Sequence, residues 1–137
     1  MHESGADLSI LSDFSVFKEE LDIISRNFVT MSKPLKYKAR IHIRDTALLA
    51  PMGFGSLSAI GSIYGEEYAK VDIGRYKKDE MSKLLEGDRE LFERYAVQDA
   101  LITLKHVNSM EEFYTSIGKK GVPLTLSGVG KEYVGFE

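Results

Sequence analysis

The 137-residue sequence contains no cysteine and no tryptophan, and only three prolines. Without cysteine there is no disulfide framework, no thiolate metal site and no cysteine nucleophile. The three histidines, His2, His42 and His106, are too few to suggest a structural zinc site. No apolar run approaches the roughly 18 residues of a membrane span. The opening MHESGADLS lacks the basic-then-apolar order of a secretory signal. These absences point to a cytoplasmic protein with no membrane partner. What is present suits one small globular domain with a real core: 43% hydrophobic and 28% charged residues. The net charge of −3 does not advertise nucleic-acid binding. Its distribution is more informative, because Lys33, Lys36, Lys38, Arg40 and Arg44 fall close together with no acid between them.

Leu8, Leu11, Phe14, Phe17, Leu21 and Ile24 recur at three- and four-residue steps, which predicts a helix over 6–26. Ser32-Lys33-Pro34 reads as a break. The stretch KARIHIRDTALLA then alternates, with Ala39, Ile41 and Ile43 on one face and Lys38, Arg40, His42 and Arg44 on the other, as a half-buried strand does. Ser56 is a suitable cap for a short helix carrying Leu57, Ile60, Ile63 and Tyr64, which Gly65 stops. A short strand is possible at 69–73, a short helix at 79–86, a long helix from about Asp88, and a last helix at 109–117. From Gly118 onward five glycines and one proline suggest a connector or tail. The expected division is therefore a domain at 1–117 and a glycine-rich tail at 118–137, with a mixed α/β domain as the fold class.

One feature of the long helix conflicts with its apolar pattern. Leu91, Phe92, Tyr95, Ala96, Ile102 and Thr103 share one face, with Asp99 at its centre and Tyr95 one turn before it. Burying an unpaired carboxylate costs several kcal/mol or forces a raised pKa. Asp99 therefore needs a partner: a metal ion, a basic side chain, or backbone N–H groups.

YAVQDALIT, a Tyr-x-x-x-Asp motif on a helix, resembles the third motif of 3′–5′ proofreading exonucleases of the Asp-Glu-Asp-Asp-plus-Tyr type. RDTALLAPMGFGSLSAIGSIYG, followed by a spacer and MSKLLEGDRELFERYAVQDALIT, is similar to the exonuclease region of family B DNA polymerases. The likeness is strongest to the protein-primed, plasmid-type branch. HESGADLSIL is similar to that family's second motif. The resemblance covers residues 2–107 and implies a ribonuclease H-like fold. It also implies catalytic roles for Asp7, Asp99 and Tyr95, with Asp7 and Asp99 as ligands of Mg²⁺ or Mn²⁺. Tyr95 would orient the attacking water. The family's first motif, Asp-x-Glu, lies upstream of the second, and Met1 to Ala6 hold none. The expectation is thus an α/β, partial ribonuclease H-like exonuclease domain, helix-rich with few strands and inactive alone.

Other residues carry competing readings. Asp45 ends the clear strand and is expected as a turn or helix-start cap beside Thr46. His106 is expected at the surface or near a helix end. His2 either opens the second motif or belongs to a loose terminus. Lys33, Lys36, Lys38, Arg40 and Arg44 could contact the phosphates of single-stranded DNA, or form a solvated strand face. GFGS at 53–56 lacks the lysine and spacing of a phosphate loop. The alternative to a partial nuclease is a non-catalytic module that binds single-stranded nucleic acid or protein. The partners expected are single-stranded DNA and either a second copy, as a homodimer, or a complementing polymerase chain.

Overall fold

The computed structural model describes the backbone at 21–25 and 28–31 and the continuous stretch 44–136. Strand β1 (Leu21–Ser25) pairs antiparallel with β2 (Phe28–Met31), with a bulge between Ile23 and Ser25. A 3₁₀ turn at Thr46–Leu49 precedes helix α1 (Leu57–Ile63). A second 3₁₀ turn at Glu66–Tyr68 follows, then α2 (Met81–Gly87), α3 (Arg89–Ser116) and α4 (Leu126–Phe136).

The expected α/β, partial ribonuclease H-like fold is corrected by this architecture. The described residues are mainly helical, and the sheet among them is one two-stranded hairpin. Such a hairpin is too small to form the layer on which an α/β fold is built. Two local reasons account for the change. Of the expected helix over 6–26, residues 6–20 lie outside the described residues, and 21–25 are extended, with Asp22 paired to Thr30 and Ile23 to Val29 in a sequence rich in β-branched residues. The possible strand at 69–73 is irregular, because the Gln98 side chain donates to the carbonyls of Glu67 (2.8 Å) and Ala69 (2.9 Å). Those acceptors are satisfied by a helix side chain instead of a neighbouring strand. The alternating segment at 38–43 lies outside the described residues.

Helix α3 is the spine. At 28 residues it spans about 42 Å, and α1, α2 and both 3₁₀ turns pack on it. The last helix expected at 109–117 is not a separate element, since α3 runs unbroken through 109–116. Its start is set by Asp88, whose Oδ1 accepts from the Leu91 N–H at 3.0 Å. Ser56 caps α1 in the same way, accepting from the Ala59 N–H at 3.2 Å. Leu49, Ile60, Leu84, Ile102, Ile117 and Val129 form the buried core. Gly61 is buried where α1 meets the second 3₁₀ turn, and a Cβ there would collide with the Tyr68 carbonyl oxygen. Gly65 ends the α1 region at φ +105°, a conformation that favours glycine. The expected tail at 118–137 contains α4, which buries Val129 and carries Glu132 in an ion pair with Lys119.

Candidate functional site

Tyr95, Asp99, Ile102 and His106 succeed one another at four-, three- and four-residue steps and form the inward stripe of α3. Ile102 and His106 are fully buried, while Tyr95 and Asp99 are half-buried. Asp99 has its partner. Lys70, in the irregular segment between the second 3₁₀ turn and α2, places Nζ 3.3 Å from Asp99 Oδ2. The same ammonium donates to the Tyr95 hydroxyl at 3.4 Å and lies 5.1 Å from the centre of its ring. Burial is the largest influence on Lys70 and opposes its charge. The Asp99 carboxylate and the hydrogen bonds to Tyr95 and Asp99 together outweigh it, so the lysine pKa stands above its usual value. Asp99 Oδ1 is buried and has no hydrogen-bond partner.

A basic side chain, one of the three partners the sequence allows, is therefore what Asp99 finds. Lys70 was not legible as that partner, since it sits 29 residues away in a segment with no periodicity.

Mg²⁺ or Mn²⁺ requires several carboxylate oxygens. Among the described residues no group of three or more His, Asp or Glu converges. The one acid of the stripe already faces an ammonium. The described residues therefore do not by themselves fit a divalent metal. Asp7, the other expected ligand, lies outside the described residues. Asp88-Arg89-Glu90 has the Asp-x-Glu spacing, but Asp88 is the cap of α3 and Glu90 lies in its first turn. Glu90 is about 13 Å along the axis from Asp99.

The remaining candidates separate similarly. Asp45 is a cap, accepting from the Ala47 N–H at 2.9 Å at the start of the first 3₁₀ turn. His106 is not at the surface: it is 1% exposed in the middle of α3. Its Nε2–H donates to the Leu49 carbonyl (3.1 Å), which leaves Nδ1 to accept from the Tyr64 hydroxyl (2.7 Å). Burial lowers its pKa, against the opposing hydrogen bond to Leu49. Of the basic group, Lys33, Lys36, Lys38 and Arg40 lie outside the described residues, as does His2. Arg44 Nε donates to the Val122 carbonyl at 2.8 Å, beside an open pocket it shares with Lys120 and Val107. Among the described residues no helix is long and apolar enough to cross a membrane.

No protein-family profile, curated protein or solved structure matches the chain.

Proposed function

We propose that the chain is part of a DNA polymerase-type 3′–5′ proofreading exonuclease domain, contributes Tyr95 and Asp99 to it, and is not a working nuclease alone. The reading rests on the residues of one helix, not on a shared fold. One observation supports it: a phenol and a carboxylate, one turn apart, converge on the same point, where Lys70 Nζ sits within 3.4 Å of both. A hydroxyl and a carboxylate so fixed can orient a water beside the ammonium. The unpartnered Asp99 Oδ1 keeps acceptor capacity for the O–H of a water. One carboxylate balanced by one ammonium cannot supply the rest of the site, so the chain is expected to bind the 3′ end of single-stranded DNA without cutting it.

A second reading is favoured by the same ion pair. If Lys70 serves only to neutralise Asp99, the chain is a non-catalytic binding module and the Tyr-x-x-x-Asp spacing is structural. Fluorescence anisotropy with a 3′-labelled single-stranded oligonucleotide separates the two, with gel analysis of the oligonucleotide in Mg²⁺ and in Mn²⁺. The exonuclease reading expects binding, no shortening, and binding altered by Tyr95→Phe and by Asp99→Asn. Binding untouched by both substitutions supports the module. Absence of binding to any single-stranded oligonucleotide overturns the exonuclease reading.

A further inference from the structure

Helix α3 carries a second stripe, on the side away from Tyr95 and Asp99. Arg94, Val97, Leu101, Leu104, Asn108 and Glu111 recur at alternating three- and four-residue steps, the spacing of a helix–helix seam. All six are exposed. At its centre Val97, Leu101 and Leu104 are 57%, 46% and 55% exposed, which is unusual for three apolar side chains in one line.

We infer that this stripe is the contact surface for a second copy of the chain, with the two α3 helices antiparallel. The order of the residues chooses the occupant and the register. When Leu101 of each copy meets Leu104 of the other, Val97 meets Asn108 and Arg94 meets Glu111. The apolar centre is then closed at both ends by opposite charges, and a two-fold axis relates the halves. Shifting the register by one heptad, which keeps the two kinds of position paired in the same way, sets Arg94 on Leu104 in one direction, or Glu111 on Leu101 in the other. A parallel pair would set Arg94 on Arg94 and Glu111 on Glu111. The antiparallel arrangement with Leu101 on Leu104 thus keeps leucine on leucine at the centre and opposite charges at both ends, whereas the parallel one sets like charges together. Arg94 forms no ion pair within the described residues, so it is available to the second copy. The seam is short, so the dimer is weak and dependent on concentration. This inference uses a different face from the Tyr95–Asp99 site and stands independently of the proposed function.

Sedimentation equilibrium of the full chain over a hundredfold range of concentration tests it. The wild type shifts from monomer to dimer. Leu101→Glu weakens association by about tenfold or more, as loss of a central contact does. Arg94→Glu and Glu111→Arg each weaken it, and the double variant, which reverses both charges, restores it. The substituted positions are exposed, and circular dichroism confirms that each variant keeps its helix. A wild type that stays monomeric throughout overturns the proposal, as does a dimer indifferent to Leu101→Glu. A charge-reversed double variant no better than either single change overturns the antiparallel register.

Discussion

Replacing Lys70 by methionine removes the charge that Asp99 faces and keeps most of the side chain's volume. At 3.3 Å and an effective dielectric near 20, the direct attraction is about 5 kcal/mol before any desolvation cost. The side chains of Lys70 and Asp99 are 20% and 27% exposed, so the pair belongs neither to the surface class nor to the fully buried one. Surface pairs contribute about 0–1 kcal/mol, and breaking a buried pair costs about 3–5 kcal/mol. An intermediate loss of about 1–3 kcal/mol is expected for Lys70→Met. For a chain of this length that lowers Tm by roughly 4–10 °C. Urea denaturation followed by helix circular dichroism gives the free energy, provided that the m value is unchanged. Asp99→Asn and the double variant complete a cycle, in which a coupling of about 1 kcal/mol or more is expected for groups in contact. The dependence on pH follows from the raised lysine pKa. Stability from a raised base is fully present below the unfolded pKa and is lost as pH rises through the folded one. The deficit of Lys70→Met should therefore hold from neutral pH to about pH 10 and shrink only above it. A cost below about 0.5 kcal/mol together with zero coupling would refute the ion pair as the reason Asp99 is tolerated in the stripe.

Three further outcomes follow from the core. His106 is neutral in the fold with its pKa lowered by burial, so the unfolded chain binds a proton first as pH falls. Stability attributable to this residue is complete above about pH 6.5 and declines below it, by at most about 1.4 kcal/mol per pH unit; urea titrations at pH 7.5 and 5.5 measure it, and His106→Gln should flatten the difference. Tyr64→Phe removes the donor to His106 Nδ1 and leaves a buried acceptor, with an expected loss of about 1–2 kcal/mol by the same denaturation assay. Gly61→Ala drives a methyl into the Tyr68 carbonyl and should destabilise by about 1–3 kcal/mol despite alanine's better helix propensity; a stabilised variant would show that the approach of α1 to the second 3₁₀ turn can relax freely.

What was legible in the sequence and what was not divides by the range of the interactions involved. Ser56, Gly65, Asp88 and Asp45 were readable because caps and turns are decided within three or four residues, by side-chain oxygens or a missing Cβ. The long helix was readable as a helix, but its extent was not: Asn108 and Ser109 resemble a stop, yet the Ser109 hydroxyl bonds back to the Lys105 carbonyl and the helix continues. The fate of the polar groups in the stripe was least accessible. Asp99 is answered by Lys70 and His106 by Tyr64 and Leu49, all distant in sequence and none marked by periodicity. The apolar pattern of α3 was itself ambiguous, because the helix carries two stripes. Ala96, assigned to the inner face, is exposed, while His106, assigned to the surface, is buried. A periodicity argument weighs hydrophobicity alone and takes a histidine or an aspartate as a defect in a face. Packing weighs whether each polar atom is satisfied. The inner stripe is therefore the one whose polar residues have partners across the fold, and the apolar Val97–Leu101–Leu104 line is left facing outward for a second helix.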